Sequence, residues 1–180
     1  MTRRSRAREV ALQLLVWRDW NPTASPDAIE RFVHDRLRDP VHEPFARRIF
    51  DGVVVRQTEI DALLSAAAEN WRLPRMPAVD RNVLRIGVFE MLDTADPSPP
   101  AVIINEAIEL VRRYGSADSP AFVNGILDQC RLRIADCGLR IQNPPPDQPQ
   151  PEPLESADSP ATIPNPQSEI GAPGPPGHPQ

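Results

Sequence analysis

The sequence predicts an all-α protein: a compact helical domain of two small helical subdomains, followed by a disordered proline-rich C-terminal tail. Three observations lead there. Apolar residues recur at three- and four-residue spacings along the first 140 or so positions, alternating strand patterns and hairpin dipeptides are nearly absent, and prolines mark where the periodic segments begin or end. Of 180 residues, 20 are Arg, none is Lys, and 25 are Asp or Glu. All the arginines and 20 of the acids fall in residues 1–141, so the body is balanced in charge. Residues 142–180 hold five acids, no Arg and 13 of the 23 prolines. Only Leu154, Ile163 and Ile170 are large aliphatics there, too little apolar surface to offset the entropy of ordering the backbone.

The first helix is expected from about Arg4 to Arg18, where Ala7, Val10, Ala11, Leu14, Leu15 and Trp17 form one wide apolar face. Ser25 and Pro26 supply an N-cap and a first-turn proline for the second, whose stripe of Ile29, Phe32, Val33 and Leu37 lasts until Pro40. A long third helix is expected from about Pro44 to Asn70, with Gly52 marking a close helix contact or a break. The two prolines of Leu73–Pro77 end it and hinge the body into subdomains of about 1–73 and 78–140. Ala78 to Asp93 is apolar nearly all round, as a central buried helix should be. Ala101 to Tyr114 follows, stopped by Gly115 as C-cap. Asp118-Ser119-Pro120 opens the last helix, which runs to about Ala135.

Several function classes fall away. Charges interrupt every apolar run well short of a membrane span, and the apolar stretch after the first arginines is too short, and lacks a cleavage site, for a secretory signal. Cys130 and Cys137 are too few for a zinc site and lie on one helix, so reduced thiols in a cytoplasmic protein are expected. No nucleophile elbow, metal-binding histidine pair or glycine-rich phosphate loop is present, so neither catalytic residues nor a cofactor or metal are expected.

What remains is electrostatic. Arg3, Arg4, Arg6 and Arg8 gather four guanidinium groups against the single acid Glu9, and planar guanidinium forks match phosphate oxygens and stack on bases. Cations at a helix start oppose its dipole, which invites a compensating ligand. A second candidate is the turn from Gly115 through Asp118 and Ser119, with Phe122 one turn into the following helix for stacking. Glu106 is expected at the subdomain contact, satisfying Arg85 or backbone donors.

The segments RAREVALQLL near the start, VDRNVLRIGVFEML from Val79, INEAIELVRRYG from Ile104 and DSPAFVNGILD from Asp118 resemble, in order and spacing, the NusB family of transcription antitermination factors. The resemblance spans about residues 4–130. It implies a two-subdomain helical fold without catalysis. Such a protein binds the boxA element of nascent ribosomal RNA as a heterodimer with the ribosomal protein NusE, within the RNA polymerase antitermination complex. By position, the family's RNA-binding residues fall on Arg3, Arg4, Arg6, Arg8, Asp118, Ser119 and Phe122, and its NusE-facing acid falls on Asp80. Val16, Ala101 and Ala121 depart from the family pattern, the latter two where a cation is usual, which implies weak RNA binding without the partner. A helical adaptor displaying its proline-rich tail to proteins is the alternative.

Overall fold

A computed structural model describes residues 2–68 and 71–142, the side chains of 137–142 excepted. Residues 143–180 of the expected tail and the thiol of Cys137 lie outside the described residues. Seven α-helices and one 3-10 turn make up the described chain: α1 (Arg3–Trp20), α2 (Pro26–Leu37), α3 (Glu43–Val55), α4 (Gln57–Ala67), the turn Leu73–Arg75, α5 (Ala78–Leu92), α6 (Pro100–Tyr114) and α7 (Ser119–Gln142).

Local chemistry sets most of the helix ends. The hydroxyl of Thr2 accepts from the Ser5 N–H at 3.0 Å and caps α1, and Ser25 caps α2 by accepting from Ala28 N–H ahead of Pro26. α2 stops at Arg38, whose φ of 49° lies in the left-handed region. Gly115 ends α6 from extended backbone, so its requirement is for space: an added Cβ would sit 2.8 Å from both Ser119 Oγ and Val111 O.

The long third helix expected from the sequence is divided. Arg56 N–H bonds to Gly52 O to end α3, and Arg56 O accepts from Ile60 N–H to begin α4, with ψ opened to 15° at Arg56 itself. Gly52 marks a close approach rather than the break, because a Cβ there would lie 2.0 Å from the Phe89 ring.

α5 is the centre of the described helices. Asp80 and every residue from Asn82 to Glu90 are buried. The helices α1, α3 and α4 of the first half and α6 and α7 of the second all pack on it, so the two halves share one core. Gly87 lets α7 close on α5, since a Cβ there would meet Leu127 at 2.8 Å. Cys130 is buried in the same core, and burial pushes its thiol up to about 11, leaving it protonated at neutral pH. Among the described residues no helix is long and apolar enough to cross a membrane, and no cluster of His, Cys, Asp and Glu could hold a metal.

Candidate nucleic-acid interface

The four N-terminal arginines occupy the first two turns of α1, and the structure divides them. Arg8 is buried: its Nε donates to both Glu90 oxygens at 3.1 and 3.0 Å, its Nη2 donates to Glu90 at 2.8 Å, and its Nη1 lies 3.5 Å from Glu106. Arg8, expected from the sequence to contact RNA with the other three, is instead closed with its guanidinium inside the α1, α5 and α6 junction. Glu106 sits at that junction as expected, but it serves Arg8 and the Ser5 hydroxyl, whereas Arg85 forks onto Asp61.

Arg3, Arg4 and Arg6 stay at the surface, with side-chain exposures of 76, 46 and 43 %. Arg3 donates to Asp39 at 2.9 Å, Arg4 donates to Asp96, and Arg6 pairs with Glu9. These carboxylates offset the unfavourable charge at the start of α1, a task the sequence reading left to a bound ligand. The pairs of Arg3 with Asp39 and Arg4 with Asp96 are partly open to solvent and contribute about 0–1 kcal/mol, so a phosphate can displace those acids. Glu9 itself is buried and also accepts from the Tyr114 hydroxyl and, at 3.3 Å, from Arg113. Burial, reinforced by the bond to Glu9, raises the Tyr114 pKa and keeps the phenol a donor.

Arg48 belongs to the same surface and was not singled out from the sequence. It reaches Asp96 at 2.7 Å and Asp93 at 3.3 Å, and the guanidiniums of Arg4, Arg8 and Arg48 lie 4.7, 5.3 and 5.7 Å from the centroid of Phe45. The signal was there in the spacing: Phe45 and Arg48, three apart, share a face of α3. Burial by itself would raise Asp96, but the Arg48 hydrogen bond and the charges of Arg4 and Arg48 outweigh it and hold its carboxyl below the ordinary range.

The second candidate lies elsewhere. Ser119 is buried, its hydroxyl donating to Asp80 Oδ2 at 2.9 Å and accepting from the Ser116 N–H at 2.9 Å. Asp80, in the first turn of α5, is buried as well, and its Oδ1 has no hydrogen-bond partner among the described residues. Ser119 and Asp80, expected from the sequence to meet RNA and the partner, turn inward in this structure, where together they fix the start of α7. Asp118 is exposed, and Phe122 is half-buried with its ring edge-on to Trp71 at 5.2 Å. Arg8 pairs with Glu90 and Ser119 with Asp80, ten residues apart on α5, so the two candidates are separated by about 15 Å along that helix. The structure does not merge them into one patch.

Comparison with known proteins agrees with this architecture. The NusB family profile matches residues 5–131. A transcription antitermination protein NusB from Anaeromyxobacter dehalogenans is 45 % identical over 135 residues, covering 71 % of this chain and 89 % of that protein. The NusB structure from T. maritima superposes with a TM-score of 0.64 at 36 % identity, over 73 % of this chain and 92 % of that one. A crystal structure of antitermination factors NusB and NusE in complex with dsRNA shares the fold, with a TM-score of 0.65 at 24 % identity over 74 % of this chain and 98 % of that one. On the length of the family match and the identity to these relatives, the chain belongs to the NusB family of transcription antitermination proteins.

Proposed function

We propose that this protein acts without catalysis as an antitermination factor that grips boxA-type RNA of ribosomal transcripts together with NusE, inside the RNA polymerase antitermination complex. One observation carries the reading. Arg3, Arg4 and Arg6 stand exposed on the rigid first turns of α1, where phosphates can replace the half-buried Asp39 and Asp96 that hold Arg3 and Arg4, while buried Arg8 anchors those turns. Asp118 and Phe122 mark where the strand continues at the far end of α5, and NusE is assigned to the Asp80 end of that helix, where Oδ1 has no donor among the described residues. The assembly of NusB and NusE with RNA in the related crystal structure supports the same reading.

The test is a titration of boxA-type single-stranded RNA against the chain, with and without NusE, over a range of salt. Affinity should be higher with NusE and fall as salt rises. Arg4→Ala combined with Arg6→Ala should flatten the plot of log K against log salt by about 1.4, from roughly 0.7 per phosphate on a single strand. An unchanged slope in the double variant would remove α1 from the RNA surface.

A further inference from the structure

The N-terminal arginines that stand out in the sequence all have carboxylates of their own, whereas Arg72 and Arg75 have none among the described residues. Arg72 and Arg75 are exposed, and among the described residues their guanidinium groups make no ion pair or hydrogen bond. They belong to the short 3-10 turn between α4 and α5, closed by Arg75 N–H to Arg72 O at 2.8 Å and Met76 N–H to Leu73 O at 3.2 Å. Three residues complete a turn of such a helix, so positions three apart align. Leu73 and Met76 are both buried and pin the turn inward, and Arg72 and Arg75 align on the outside. The residue before them, Trp71, is 60 % exposed, far more than an aromatic of this size needs if its purpose were packing.

Trp71 also stands edge-on to Phe122 across the gap between α4 and α7. Beside this pair lies an open cavity of about 560 Å³ lined by Ala67, Trp71, Ala121, Phe122, Gly125 and Gln129, among others. Its small side chains leave room beside the exposed Trp71 ring, and the Gln129 amide offers both a donor and an acceptor. Guanidiniums without an ion pair beside an exposed aromatic ring are the combination that holds single-stranded nucleic acid: charge tracks the backbone and the ring stacks a base.

We infer that Trp71, Arg72 and Arg75, with Phe122, form a second RNA-contact site in which an unpaired base stacks on Trp71 and two phosphates meet the arginines. The inference rests on the RNA-binding reading above and adds to it a place and a chemistry. Trp71 takes the base face, Gln129 faces its edge, and the 3-10 turn fixes the spacing of the two cations. Because α1 presents its arginines at the other end of α5, the two sites hold different stretches of one strand.

The experiment uses the full chain with NusE and a labelled single-stranded boxA-type RNA. Arg72→Ala with Arg75→Ala should weaken binding and lower the salt slope by about 1.4. Trp71→Ala should weaken it on the order of tenfold with the slope unchanged, and Trp71→Phe should restore most of the affinity. RNA should quench part of the tryptophan emission of the natural chain, and Trp71→Phe should lose that part while still binding, a change that a merely structural role for Trp71 would not produce. If the natural chain binds RNA and all these variants match it in affinity, slope and quenching, this site is wrong while the function stands. If the natural chain with NusE binds no RNA, both fall. Variants that lose NusE in the absence of RNA would make the patch a protein-docking surface and overturn the inference.

Discussion

At Arg8 a single side chain fixes the first turns of α1. Replacing it with alanine strands Glu90 and Glu106 without their cation, and breaking a buried pair in this way costs about 3–5 kcal/mol. Arg8→Ala should therefore melt well below the natural chain, and Arg8→Met with Glu90→Leu should recover much of the loss, because two apolar groups leave less uncompensated charge. Equal melting temperatures for the single and double variants would contradict the pairing. The sequence placed Arg8 with Arg3, Arg4 and Arg6 because its partners are far away in the chain: Glu90 lies 82 residues on, as Asp96 lies 92 from Arg4. A cluster of like charges is legible locally, but its neutralisation is tertiary. Trp71, Arg72 and Arg75 are illegible in the sequence for the complementary reason, since three residues in a proline-rich turn form no periodic pattern, and what marks them is the exposure of Trp71 and the lack of an ion pair at either arginine among the described residues.

Among the helices, two glycines make opposite demands. Gly52 lets α3 lie against α5, and Gly52→Ala would drive a methyl group into the Phe89 ring, destabilising by about 1–3 kcal/mol. A companion change of Phe89→Leu should relieve part of that. Gly125 has nothing within 4 Å of where its Cβ would stand, so Gly125→Ala in the body of α7 should stabilise by roughly 0.5–1 kcal/mol. Thermal denaturation of the three variants checks the contrast, and a destabilised Gly125→Ala would refute it. Most of the helices could be read from the sequence because their starts carry local chemistry, such as Ser25-Pro26, and because α5 is apolar on all sides. The break at Arg56 could not, since neither proline nor glycine stands there and the apolar stripe continues unbroken from α3 into α4. Only the packing of α4 against α5 and α7 requires the chain to turn.

For the molecule as a whole, ion pairs between distant segments couple stability to acidity. Asp96 is held below its ordinary value of 3.8 because the Arg48 and Arg4 interactions outweigh its burial, and Asp39 is lowered in the same way by Arg3 and His42 against its burial. A carboxyl with a lower pKa folded than unfolded contributes stability above the unfolded value and loses it as pH falls through the folded one. The melting temperature should fall as pH drops from about 4 towards 2, and Asp96→Asn should flatten part of that fall, as calorimetry over this range would show. An Asn variant as acid-sensitive as the natural chain would exclude Asp96 from the linkage. The ties of α1 have one more consequence, for the order of events during synthesis. Ser5, Arg8 and Glu9 find their partners at Glu90, Glu106, Arg113 and Tyr114, so the residues made first are completed by residues made some hundred positions later. Contacts of such long range slow folding, and the nascent chain must keep its opening helix unfinished until α6 has left the ribosome.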